Sequence, residues 1–186
     1  MLTDGQRAAL LRLARHAIAA HLAGRPLPAA GPDEALGDLR AGAFVTLRRG
    51  GELRGCIGAP EGGPPLGDTV VHCAIAAATE DPRFGPVTAD ELPHLEMEVS
   101  VLGPIEPVDD PHGIEIGRHG LMAEQGGRRG LLLPQVATEW AWDRETFLAQ
   151  TCAKAGLRPD AWRHGARLSR FEAEVFDDRA GAAEPA

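Results

Sequence analysis

Two glycine pairs constrain this chain more than any other feature. Gly50-Gly51 follows the run "AFVTLRR" (43–49), and Gly126-Gly127 separates the short runs Leu121–Glu124 and Arg129–Leu133. A two-residue glycine loop between such runs joins antiparallel strands, because both central residues of the favoured turns take positive φ. The first return strand begins at Glu52 and runs into "LRGCIG" (53–58). A further strand is legible in "LEMEVSVL" (95–102). Leu95, Met97, Val99 and Val101 share one face, and Glu96, Glu98 and Ser100 share the other. Short strands are expected near Ile114–Ile116 and over "LSRFEAEVF" (168–176).

Helical signals lie between these runs. Thr3 and Gln6 have capping-box spacing, followed by Leu10, Leu11, Ala14, Ile18 and Leu22, with Gly24 as a stop. Asp68 or Thr69 is expected to cap a second helix, and Asp143 a third that runs through Ala155 to Gly156. Residues 25–40 and 59–67 read as Pro/Gly loops. Strands and helices do not alternate regularly, so the expected class is α+β, with a mixed or antiparallel sheet and packed helices. Residues 1–176 are expected to form one domain, and 177–186 a small, polar, disordered tail.

Composition narrows function by exclusion. The net charge of −8 disfavours general nucleic-acid binding, which needs a positive footprint. No apolar run approaches the roughly 20 residues of a membrane span. The start "MLTDGQRAAL" has no signal-peptide pattern, and the three widely spaced cysteines suit a reduced, cytoplasmic setting. Neither Cys-x-x-Cys nor His-x-x-x-His occurs, so no structural metal is expected, and no cofactor is expected either. Of 19 basic residues, Lys154 is the only lysine. In so Arg-biased a chain, a surviving lysine marks either chance or a place that needs a compact, tunable charge.

Candidate chemistry centres on "LRGCIG". If 53–57 is extended, Arg54 and Cys56 share a face, and the guanidinium would lower the thiol pKa. Gly55 and Gly58 would let a ligand or another backbone approach closely. The alternative is that Cys56 is a small buried apolar residue. His119, in "GRHG", is the candidate base for a thiol nucleophile. Arg83, in "EDPRF", would clamp an anionic group or pair with Asp81 or Glu80. Glu98 is a candidate acid or base if its face lines a site. Gln135 follows Pro134 at an expected strand end, where binding residues are common. Lys154 also suits the C-terminus of its helix. Trp140, Trp142 and Trp162 read as core or lobe-interface residues, and one of them could wall a pocket.

"LRGCIG", "EDPRF", "LEMEVSVLGPIEPV", "GRHGLMAE", "RGLLLPQVATEWAWDRETFLAQTCAKAGL" and "FEAEVF" occur in order from about Phe44 to Phe176. In these motifs the chain resembles the AmmeMemoRadiSam system protein A family, whose shared unit is the AMMECR domain. The resemblance implies an α+β fold in two unequal lobes with a cleft between them. It also implies association with a Memo-like protein and a radical S-adenosylmethionine enzyme. It implies no particular reaction. The expectation drawn from residues and resemblance together is a cytoplasmic protein that binds or transforms a small anionic organic substrate in the cleft. Cys56 and His119 would be catalytic, and Arg54, Gly55, Gly58, Arg83, Gln135 and Lys154 would bind substrate. The alternative is a non-catalytic scaffold for those partner proteins.

Overall fold

Both glycine pairs form the turns their sequence demands. In a computed structural model that describes residues 1–28 and 36–178, Gly50 and Gly51 take φ of 57° and 83°, and Gly126 and Gly127 take 59° and 76°. The chain divides into two compact units, Met1–Val101 with Glu174–Ala186, and Leu102–Ala173.

The first unit opens with α1, Asp4–Leu22. Its capping box is complete: the Gln6 amide donates to Thr3 Oγ1 and the Thr3 amide to Gln6 Oε1. Strands β1 (Ala43–Arg49) and β2 (Glu52–Ala59) pair antiparallel across the Gly50-Gly51 turn. Strand β3 (Leu95–Leu102) pairs antiparallel with the other side of β1, so β2 is an edge strand. Helix α2, Leu66–Thr79, starts earlier than Asp68 or Thr69 would place it. Pro65 occupies the N-cap without a side-chain bond. The start is fixed by tertiary contact instead: the Leu66 amide donates to Leu39 O, and its side chain is 1% exposed. Leu10 and Ile18 of α1 and Val70 and Ala74 of α2 pack with Val45, Leu47, Met97 and Val99 in one core. Each of the Leu, Ile, Val and Met side chains stabilises by about 1.5–3 kcal/mol on burial.

The second unit carries the other hairpin, β5 (His119–Gln125) with β6 (Arg128–Leu132). The two-residue β4 (Glu106–Pro107) and then β5 pair antiparallel with β7, Arg167–Asp177. Two helices follow β6: α3 (Pro134–Glu139) and α4 (Arg144–Lys154). Asp143 caps α4 through the Thr146 amide, and Gly156 ends it at φ 68°. Phe147, Leu148 and Cys152 of α4 enter this unit's core with Leu121, Ala123 and Leu168.

Four expectations need correction. Ile114–Ile116 is not a strand; it follows a single 3-10 turn at Pro111–Gly113, which Asp110 caps through the His112 amide. Gln135 lies in the first turn of α3, because Pro134 supplies a pre-set helical φ there. Trp140 is 67% exposed rather than buried, whereas Trp142 and Trp162 pack partly against the core. The tail does not loosen at Asp177, which closes β7; Asp178 donates its amide to Met97 O and accepts from Arg15 and the Met97 amide. The rest of the expected tail, 179–186, and residues 29–35 of the expected loop lie outside the described residues.

The hairpins and the interspersed helices therefore give an α+β fold. No helix among the described residues is long and apolar enough to cross a membrane.

Candidate functional site

One irregularity in the first hairpin determines where Cys56 sits. Arg49 pairs with Glu52 and Arg48 with Leu53, but Leu47 then pairs with Gly55. Arg54 is the extra residue of a β-bulge. Beyond it, Thr46 faces Cys56 on one side and Glu98 of β3 on the other. The Cys56 amide points off the sheet edge and donates to Asp81 at 2.9 Å. Cys56 and Thr46 are thus a non-hydrogen-bonded pair, the geometry that brings opposite side chains closest. The Thr46 hydroxyl donates to Cys56 Sγ at 3.4 Å. The next row holds Gly58, Phe44 and Ser100. The Ser100 hydroxyl is buried and has no hydrogen-bond partner among the described residues.

The glycines of "LRGCIG" serve packing. A Cβ on Gly55 would lie 2.1 Å from the Ala77 carbonyl oxygen of α2. One on Gly58 would lie 2.1 Å from Cδ1 of Phe44. The close approach expected at these positions is made by helix backbone and by a ring of the protein itself. It follows that Cys56 and Thr46 stand on the face opposite α2.

The loop after α2 supplies the charges. Asp81 is 4% exposed. Its carboxylate accepts from the Arg83 amide, Nε and Nη2 at 3.1, 3.0 and 2.7 Å, besides the Cys56 amide. The Arg83 bonds hold the Asp81 carboxyl far below the usual carboxylate range. Arg83 keeps half its side chain exposed and lies 5.4 Å from the Phe84 ring centre. Arg54 does not do what was expected of it. The bulge breaks the alternation that would put it beside the thiol, and its guanidinium forks onto both Glu91 oxygens and onto the Gly85 and Pro86 carbonyls. Arg54 lowers the Glu91 carboxyl to about 2.

The cation that acts on Cys56 is Arg83, and it does not prevail. Burial pushes the thiol above its ordinary value; the Thr46 hydroxyl and Arg83 oppose this, while Asp81 and Glu98 add to it. Cys56 is therefore a protonated thiol at neutral pH, opposite to the effect expected from Arg54.

The remaining candidates belong to the second unit. His119 begins β5 and is 5% exposed. Its Nδ1 accepts from the Glu115 amide at 3.0 Å. Burial, then Arg170, lowers its pKa, so the ring is neutral with its proton on Nε2. Lys154 is exposed at the end of α4. Its carbonyl carbon is 2.5 Å from where a Gly130 Cβ would stand. Gly130 pairs with Ala123, four residues along β5 from His119, which is roughly 13 Å of strand. The backbones of His119 and Lys154 are not brought together. Gln135 Oε1 is buried without a partner among the described residues.

The sequence carries no local sign that Thr46 stands beside Cys56. Continued without a bulge from Arg49–Glu52, the hairpin would pair Thr46 with Gly55. Asp81 was visible only as a partner for Arg83. Its bond to the Cys56 amide spans 25 positions and leaves no local trace.

Residues 11–176 match the model of the AMMECR1 family, a span that also takes in most of α1. A protein of Methanothermobacter thermautotrophicus is 50% identical over 179 residues, covering 91% of this chain and 92% of its own. One of Thermofilum pendens is 46% identical, covering 94% of this chain and 91% of its own. The crystal structure of uncharacterized protein PH0010 from Pyrococcus horikoshii superposes with a TM-score of 0.89 at 42% identity, over 95% of this chain and 93% of that one.

Proposed function

The chain belongs to the AMMECR1 family, and from that premise we propose that it is a cytoplasmic protein that binds or transforms a small anionic organic substrate at the thiol of Cys56. The observation that carries this reading is the row across three strands, Cys56, Thr46 and Glu98, on the face opposite α2. A hydroxyl already bonds the sulfur there, and a carboxylate flanks that hydroxyl. The half-exposed guanidinium of Arg83, held rigid by Asp81, supplies a docking group for a carboxylate or phosphate. The Ser100 hydroxyl in the next row is unspent. Because the resting thiol is protonated, Cys56 acts only when a base takes its proton, and Glu98 is the base the row offers. The three unpaired cysteines, Cys56, Cys73 and Cys152, agree with a reducing compartment.

The test is metabolite profiling of cells lacking the protein, complemented with wild type or Cys56→Ser. Wild type restores the level of a small anion and the Ser variant does not. Full restoration by Cys56→Ser removes the thiol from the function.

The exposed Trp140 favours a second reading, the scaffold for Memo-like and radical S-adenosylmethionine proteins. Its ring stacks on Trp142 at 6.1 Å, and rigid surface indoles are frequent anchors of protein interfaces. On this reading Trp140→Ala abolishes co-purification with a co-expressed Memo-like protein. Retention of the complex rules that anchor out.

A further inference from the structure

The second unit holds an open cavity of about 410 Å³, lined by Asp110, Pro111, His112, Arg144, Glu145, Leu148, Trp162 and Arg163. None of these residues belongs to the Cys56 row. The lining divides by chemistry. Pro111, Leu148 and the Trp162 ring supply apolar wall, and Leu148 is 1% exposed.

The charges sort themselves into spent and unspent. Glu145 is paired with Arg163 at 2.9 Å, and the Arg163 guanidinium stacks 4.3 Å from the Trp162 ring centre. Asp110 Oδ1 accepts from the His112 amide of its own turn, a bond that orients the carboxylate without cancelling its charge. Arg144 is different. Half-buried, it spends only Nε, which donates to the Ile114 carbonyl at 2.9 Å. That bond fixes the plane of the guanidinium, and neither Nη has a hydrogen-bond partner among the described residues. An oriented guanidinium with both Nη atoms free, beside an indole and aliphatic carbon, suits a ligand that is flat and apolar at one end and anionic at the other.

We propose that this cavity is a binding site for small aromatic carboxylates, with the carboxylate on the Arg144 fork and the ring against Trp162. The site is separate from the thiol row and does not depend on it. The experiment titrates the ¹⁵N-labelled full chain with sodium benzoate and, in parallel, with benzamide, which keeps the ring and loses the charge. The Trp162 indole N–H, assigned by Trp162→Phe, is followed. Benzoate shifts this resonance saturably and binds at least roughly tenfold more tightly than benzamide. Arg144→Gln brings benzoate down to the benzamide level, while Cys56→Ser leaves it unchanged. Equal affinity of the two probes, no saturable shift at Trp162, or wild-type benzoate binding by Arg144→Gln each overturns the proposal. The comparison of probes uses the unaltered chain, so it decides the matter even if Arg144→Gln folds poorly.

Discussion

The two hairpins share a turn and differ in register. In the second unit, β5 and β6 pair without interruption from Gln125–Arg128 to Leu121–Leu132. In the first, β1 and β2 slip by one residue at Arg54. The regular hairpin keeps a plain alternation along β5. The bulged one sends Arg54 off to Glu91 and sets Cys56 beside Thr46. One inserted position thus separates a hairpin of unbroken register from one in which Cys56, Thr46 and Glu98 form a row.

The largest expected effect concerns the feature the hairpins share, a glycine under a helix. Gly55→Ala would drive its Cβ into the Ala77 carbonyl, and Gly130→Ala into the Ala155 amide at 2.2 Å. Each should cost about 3 kcal/mol, since backbone cannot yield as a side chain does, or roughly 6–12 °C in thermal midpoint for a chain of this size. A Gly55→Ala protein with the wild-type midpoint would show that α2 does not press on β2.

Asp81→Asn tests what is peculiar to the bulged hairpin. It weakens the Arg83 clamp and should cost about 2 kcal/mol. It should also flatten the acid limb of stability. Asp81 and Glu91 both have depressed folded pKa values. Their stabilisation is present above the unfolded carboxylate range, near pH 4, and is lost as pH falls through the folded values. Urea midpoints measured from pH 6 down to pH 2 should therefore fall less steeply in Asp81→Asn and Glu91→Gln than in wild type. Parallel curves would remove these carboxylates from the acid response.

A smaller effect concerns the sulfur. Iodoacetamide should modify Cys56 more slowly than free cysteine at pH 7 to 8, with a rate that climbs at pH above the ordinary thiol range. Thr46→Val removes a donor to the thiolate and should slow the reaction by about a further fivefold at fixed pH. A Thr46→Val rate equal to wild type would leave the pair as mere neighbours. The smallest effect is expected of Lys154→Arg, within about 0.5 kcal/mol of wild type by thermal unfolding. A loss of function in that variant would show that the lone lysine is retained for its chemistry.

What was legible in the sequence was local. Gly50-Gly51, Gly126-Gly127, the Thr3–Gln6 box, the Asp143 cap and the alternation of "LEMEVSVL" are decided within a few residues, and the structure places each as expected. The start of α2 was not legible, because Leu39 and the core fix it. Nor was the bulge, which depends on α2 pressing on Gly55 and on Glu91 drawing Arg54 away, positions 22 and 37 residues distant. The site inherits that limit. Cys56 and Arg83 stood out by type and motif, but the pairing of Cys56 with Thr46 and the sign of its pKa shift depend on register and burial.

The Asp81 bond to the Cys56 amide also bears on how copies of this protein behave in a crowd. Strand β2 is the open margin of its sheet, and an unguarded margin templates addition of a foreign strand. The carboxylate occupies an outward-facing amide of that margin with fixed negative charge and anchors a loop beside it. Asp81 thus closes part of the sheet margin with the same carboxylate that holds the Arg83 loop.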